Sequence, residues 1–171
     1  MCEEYVEEYT MPSGNIYNHI KGNALDWAEK DGYCMVHVCN NKGGFGGGKT
    51  ALAAQVKERF PDVYDRYTKF YHHGGISCGK FDSVANLIAQ DGYGARWKGI
   101  KYFKEDWFEM ALEDFLYNYK DQEQCDDAVT VNTIVVPYKM GSDRANGDWN
   151  WIIEKTKEIL GEHFNILVVE I

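Results

Sequence analysis

A three-layer α/β/α domain is what this sequence predicts, on three observations. Strand-like and helix-like segments alternate along the chain. The two central strand segments, residues 33–39 (YCMVHVC) and 130–137 (TVNTIVVP), are close to continuously apolar and lack period-two polarity. A strand of that kind is covered on both faces, whereas a half-solvated strand alternates. At 171 residues, 44% hydrophobic and 15% aromatic, the chain also has the size and composition of one domain with a real core. Residues 1–171 are therefore read as one domain, with residues 1–15 an N-terminal extension or edge strand.

The elements follow in order. Residues 16–20 are a short strand, followed by Gly22-Asn23 and a helical stretch near residues 24–30. In residues 33–39, Val36 and Val38 favour extended backbone. Leu52, Val56 and Phe60 recur at i, i+4 and i+8, one face of a helix over residues 50–60 that Pro61 is expected to end. Strands are expected at residues 75–81 and 84–90, then a loop rich in glycine and aromatics at 91–99. Phe108, Leu112, Phe115, Leu116 and Tyr119 stripe a helix within residues 104–119. A polar loop at 138–147 separates the second apolar strand from a last helix marked by Trp149, Ile152, Ile153, Thr156 and Leu160. Residues 165–171 (NILVVEI) close the chain as a strand. In doubly covered sheets ligands bind beyond the carboxyl ends of the strands. The loops after Cys39, Gln90 and Pro137 are therefore expected to converge on one crevice.

Charge and cysteine usage exclude several classes. The net charge of −9, with no offsetting basic patch, argues against a nucleic-acid surface. No apolar run reaches the ~18–20 residues that span a bilayer. The acidic start Met1-Cys2-Glu3-Glu4 has no apolar signal region, so the expected location is the cytoplasm and the expected state a monomer. Cys2, Cys34, Cys39, Cys78 and Cys125 form no C-x-x-C pair. They read as reduced thiols, Cys34 and Cys39 in the core, and neither they nor His72-His73 have the spacing of a metal site. No metal and no cofactor are expected.

The most telling stretch is Gly43 to Thr50 (GGFGGGKT), between an apolar strand and a helix. Glycines there let backbone N–H groups approach an anion, and the helix adds its positive end. Two readings fit. The letters satisfy the Walker A pattern G-x-x-x-x-G-K-[ST], in which Lys49 and Thr50 would serve a nucleoside triphosphate and magnesium. They also suit a loop that cradles a diphosphate without either residue. A P-loop enzyme needs a second apolar strand tipped with a carboxylate. Pro137-Tyr138-Lys139 supplies none, and Glu170 is followed by one residue only.

The neighbouring residues favour the second reading. Val36-His37-Val38-Cys39-Asn40, the glycine stretch, Ala51-Leu52-Ala53-Ala54-Gln55 and Arg59-Phe60-Pro61 resemble the first ligand loop of macro domains. The resemblance is to the ADP-ribose-1''-phosphate phosphatase-like branch, which includes versions carried by bacteriophages. Ile20 to Asp26 (IKGNALD) resembles the family's opening strand and its G-D-[IA] turn. Ala85 to Gln90 and the helix around Tyr102 to Phe115 fall in the expected order. Val136 to Gly141 (VPYKMG), with Ala145-Asn146-Gly147-Asp148-Trp149, resembles the second ligand loop, P-x-x-x-G-x-G-x-A-G-G-D-W. The likeness runs from about residue 16 to residue 171.

That resemblance implies a macro-domain fold with a mixed, mostly parallel sheet, and ADP-ribose or ADP-ribose 1''-phosphate as ligand. It implies metal-independent hydrolysis of ADP-ribose 1''-phosphate to ADP-ribose and phosphate. The alternatives are removal of ADP-ribose from modified protein or nucleic acid, binding without catalysis, and a P-loop nucleotide-binding protein. On the resemblance, Asn23 and Ala24 meet adenine, Asn23 standing where the family has an aspartate that accepts from the adenine amino group. The bland reading of Asn23 is a turn or helix cap. Asn40 aligns with the asparagine that orients the distal ribose, while Asn41 reads as an Asx-turn stabiliser. Phe45 flanks that ribose or lids the core, and Gly46, Gly47 and Gly48 approach the diphosphate. Gly141, Ser142, Asp143, Arg144, Ala145, Asn146 and Gly147 form the second loop; Asp143, Arg144 and Asn146 replace small residues. Arg144 suits a bidentate clamp on a terminal phosphate or a solvated loop. Asp148 is a helix cap and a candidate base. His37 is a core histidine or, if it reaches the crevice, a proton donor. Tyr93 is expected to cover the crevice by stacking, and Trp149 to be core.

Overall fold

The computed structural model describes residues 4–45, 51–94, 98–123, 130–143 and 145–171. Seven strands are β1 (Glu4–Thr10), β2 (Ile16–Lys21), β3 (Tyr33–Asn40), β4 (Ser77–Lys80), β5 (Val84–Gln90), β6 (Thr133–Pro137) and β7 (Asn165–Glu170). The helices are α1 (Ala24–Ala28), α2 (Leu52–Arg59), α3 (Pro61–Phe70), α4 (Glu105–Glu123) and α5 (Trp149–Ile159). The strands form one sheet in the order β1-β2-β7-β6-β3-β5-β4. Neighbours from β2 to β5 are parallel, and the edge strands β1 and β4 are antiparallel. The sheet is mixed and mostly parallel, with helices on both faces.

Strand parity explains the unbroken apolar runs. Cys34 and Val36 of β3, Ile134 and Val136 of β6, and Ile166 and Val168 of β7 pack with Phe108, Leu112 and Phe115 of α4 and Ile152 of α5. The alternate residues Met35, Val135, Leu167 and Val169 pack with Leu25 of α1, Val56 of α2 and Val63 of α3. A helix layer lies over each side, so neither parity tolerates a charge. Cys34, Cys39 and Cys78 are buried free thiols, and burial pushes all three upward, Cys78 to about 11. They are inert at neutral pH.

The chief departure from expectation is Pro61. It does mark the end of the first helix, as expected, but it also opens an unexpected second helix, α3, at the first helical position. The helix ending before it closes on Phe60, whose φ of −130° and ψ of 68° break the α2 geometry. Proline has no N–H to lose at a helix start and its fixed φ suits the first turn. Val63 and Tyr67 are the residues α3 buries. Smaller differences are at boundaries: the strand expected over 75–81 shortens to Ser77–Lys80, and β6 begins at Thr133.

Candidate functional site

The carboxyl ends of the parallel strands meet in a cleft of about 560 Å³. Gly22 follows β2, Val38 lies on β3, Pro137, Tyr138, Met140 and Gly141 continue β6, and Val169 and Glu170 end β7. Asn23 and Ala24 begin α1 on one side, and Leu52, Ala53 and Gln55 of α2 stand on the other. The walls are mainly apolar. The two helices present their N-termini differently. Asn23 caps α1, its Oδ1 accepting from Leu25 N at 3.0 Å. The α2 N-cap is Ala51, which offers no side-chain acceptor to the first N–H groups. Among the described residues no cap bond is made from the N-cap position, and a helix start of that kind at a cleft offers donors and the positive dipole end to an anion.

Of the expected site residues, Asn23, Ala24, His37 and Gly141 line this cleft. Gly46, Gly47, Gly48, Lys49, Thr50 and Arg144 lie outside the described residues. Asn40 and Phe45 sit beside the cleft in roles that shape the first loop. Asn40 is buried; its Nδ2 donates to Gly44 O at 2.8 Å and its Oδ1 accepts from Lys42 N at 2.8 Å. The Tyr67 hydroxyl, kept protonated by burial, lies 2.9 Å from both Asn40 O and Oδ1 and accepts from Gly43 N. Asn40 therefore braces the glycine stretch at its start. Phe45 packs against His37, Tyr64 and Tyr67 with ring centroids 4.5–5.3 Å apart, a lid on the core. Asn41 does not simply stabilise its own turn. It reaches the loop after β5, donating to Asp91 Oδ1 and accepting from Gly92 N. Tyr93 is exposed, away from the cleft lining.

Tyr67→Phe removes the hydroxyl that joins α3 to both ends of this turn. A loss of about 1–3 kcal/mol is expected, because buried partners are left unsatisfied. Urea denaturation checks it; an unchanged midpoint would show that Tyr67 holds the turn through its ring alone.

The second loop is held by its own hydrogen bonds and by bonds to residues 100–103. Lys139 takes φ 61°, Gly141 φ 74° and Asn146 φ 58°. Asparagine accepts the left-handed region better than most residues, which explains how it replaces a glycine there. Gly147 N donates to Gly141 O at 2.9 Å, and Ala145 O accepts from Tyr102 N and Phe103 N, both at 3.0 Å. Ser142 Oγ donates to Lys139 O, and Asn146 Nδ2 to Ile100 O, 2.7 Å each. Asp143 is exposed. The loop reaches the cleft through Gly141, while residues 142, 143 and 145–147 set its shape. Asp148 is exposed and caps α5, its Oδ1 accepting from Asn150 N at 3.0 Å. Trp149 is half-buried, edge-on to Tyr138 at 5.3 Å.

His37 is a core histidine. It is buried, with Nε2 2.6 Å from Asn86 Oδ1, and Asn86 in turn donates to Val63 O. Burial lowers it from an ordinary 6.5 to about 4, partly opposed by the Asn86 bond. It is neutral at physiological pH and is no proton donor there.

The sequence reading missed Glu170 and Tyr138 as cleft residues. Glu170 Oε2 accepts from His19 Nε2 at 2.8 Å, and the His19 ring packs on Tyr138 at 4.8 Å. The rule that ligands lie beyond strand carboxyl ends points to Glu170, the last residue of β7. The sequence reading tests that glutamate only as a magnesium-binding carboxylate.

No family model matches the chain. A curated protein of Candida albicans, ADP-ribose 1''-phosphate phosphatase, is 25% identical over 165 residues, 90% of this chain and 100% of that one. Among solved structures, the macrodomain of Thermus aquaticus DarG superposes with TM-score 0.66 at 20% identity, covering 92% of this chain and 100% of that. The Mycobacterium tuberculosis DarG macrodomain gives 0.65 at 17% over 91% and 98%. Thermosipho africanus DarTG, solved in complex with ADP-ribose, gives 0.67 at 14% over 96% of this chain and 43% of that one.

Proposed function

We propose that this chain, a macro domain in fold, binds ADP-ribose in the cleft and hydrolyses ADP-ribose 1''-phosphate to ADP-ribose and phosphate. One observation carries the reading. The N-terminus of α2, which follows the glycine stretch in sequence, opens onto an apolar cleft at the parallel-strand ends with no side-chain cap from its N-cap residue Ala51 among the described residues. Apolar walls accept a base and ribose, while the uncapped N–H groups accept a diphosphate. The 25% identity across the full length of a phosphatase with that substrate supports the reaction.

In that reaction water attacks phosphorus, the bond from phosphorus to the 1'' oxygen breaks, and the departing ADP-ribose takes a proton at that oxygen. His37 lines the cleft but is buried and neutral, so Asp148, which stands outside the cleft lining and has one carboxylate oxygen not needed for capping, is the remaining candidate base for the water.

Calorimetry with ADP-ribose and with Mg-ATP tests the ligand, and phosphate release from ADP-ribose 1''-phosphate in chelator tests the reaction. Tight Mg-ATP binding lost on Lys49→Ala would return the chain to the P-loop reading. ADP-ribose binding without release would leave a binder. Asp148→Asn keeps the cap, since asparagine caps as well as aspartate. The melting temperature should hold while release falls about 100-fold or more. An unchanged rate removes Asp148 from the chemistry.

A further inference from the structure

We propose that Asn41 is a positioning residue that ties the first loop of the cleft to the second, through residues 90–94 and 98–103. The proposal takes its ligand from the ADP-ribose reading and deepens it.

The tie begins where the sheet gives out. Strands β3 and β5 pair as far as Cys39 and Ile88; the register then shifts, and Asn40 pairs with Gln90. Ala89 is the residue left over, and its carbonyl accepts from Lys104 N at 2.8 Å. A bulge of this kind ends pairing and re-aims the chain that follows. Past it, a side chain carries the ladder on. Asn41 Oδ1 accepts from Gly92 N at 2.9 Å, and its Nδ2 donates to Asp91 Oδ1 at 3.1 Å. Both ends of the amide are thus spent on the segment after β5. Its neighbour Asn40 holds the first loop, through Lys42 N and Gly44 O.

The segment after β5 then grips the second loop. Asp91 N donates to Tyr102 O at 2.9 Å, and Gln90 bridges Phe103. A Cβ added at Gly94 would stand 2.2 Å from the Tyr102 hydroxyl oxygen, so the two halves of the segment lie in close contact. Tyr102 N and Phe103 N share Ala145 O, and Ile100 O accepts from Asn146 Nδ2. The buried Phe103 ring packs against Gly141 and Gly147, where added Cβ atoms would meet it at 3.2 and 2.9 Å. Gly141 is the cleft-wall residue. Close packing at each junction transmits a displacement instead of absorbing it. Asn41 stands outside the cleft lining, so it acts on a ligand by fixing how the two loops sit relative to each other.

Amide hydrogen exchange of the full chain, followed residue by residue by NMR, tests this together with calorimetry against ADP-ribose. Asn41→Asp sets two carboxylates face to face and should break the tie. Exchange at the Gly147 N–H should quicken at least about fivefold, and ADP-ribose affinity should fall by a similar factor. Adding Asp91→Asn swaps the roles of the two side chains at unchanged net charge, and should restore both readouts to within about twofold. Asn146→Gly cuts the tie from the other end: it keeps the left-handed backbone and loses the bond to Ile100 O. Because coupling is reciprocal, exchange at the Gly92 N–H should quicken in that variant. Faster exchange confined to Gly92 in Asn41→Asp, or unchanged affinity there, overturns the proposal. Absence of ADP-ribose binding by wild type overturns the ADP-ribose reading and leaves exchange at Gly147 to decide the tie. Should Asn41→Asp fail to fold, exchange at Gly92 in Asn146→Gly decides it, and an unchanged rate there overturns the proposal.

Discussion

Gly147→Ala is expected to destabilise the chain by about 1–3 kcal/mol, a fall of roughly 3–10 °C in melting temperature, and to abolish most ligand affinity. A Cβ at Gly147 would lie 2.5 Å from Gly141 O and 2.9 Å from Phe103 Cγ. The first contact is with the carbonyl that Gly147 N itself bonds, so relief requires opening the turn. Opening it also displaces Ala145 O from Tyr102 N and Phe103 N, and moves Gly141 at the cleft wall. Gly44→Ala is the control. Among the described residues no atom lies within 4 Å of its added Cβ, so a change within about 0.5 kcal/mol is expected. Thermal melts of both variants with ADP-ribose titrations decide the matter. Equal melting temperatures for the two variants would show that the second loop yields without cost.

That contrast marks what was legible in the sequence. Apolar runs without alternation specify a doubly covered sheet, and Val135 and Val136 of β6 facing opposite helix layers are the physical reason. Glycines in the second loop mark a turn crowded by its own backbone. What the sequence hides is which partner a polar side chain chooses. Asn40 reads in the sequence as a sugar ligand, and only the placement of Tyr67 on α3 shows that it also braces the turn. That helix is itself illegible from the proline rule, since Pro61 both follows one helix and starts the next. Glu170 is hidden for a related reason: its partner His19 is 151 residues away, on a neighbouring parallel strand.

His37 carries the second large expectation. Acidification from about pH 7 to about pH 4 should remove about 3 kcal/mol of stability through this residue alone. Desolvation holds it near 4 in the folded chain, against 6.5 when exposed; the Asn86 bond offsets part of that shift. Below 6.5 the unfolded chain takes up a proton that the folded chain refuses, so the equilibrium moves toward unfolding. The contribution is fully present above 6.5, drains at about 1.4 kcal/mol per pH unit, and levels off below 4. His37→Gln removes the titration while keeping an N–H for Asn86 Oδ1. Its stability should therefore fall less steeply than that of wild type between about pH 6.5 and 4.5 in urea denaturation. Parallel pH curves for the two would sink the assignment. The same buried state has a catalytic consequence. A histidine already neutral at pH 7 gives no ionisation to the rate profile near neutrality, so any inflection there belongs to another group. Were phosphate release to titrate near pH 6.5 in wild type and not in His37→Gln, the core reading of this histidine would fail on the chemistry as well as on the fold.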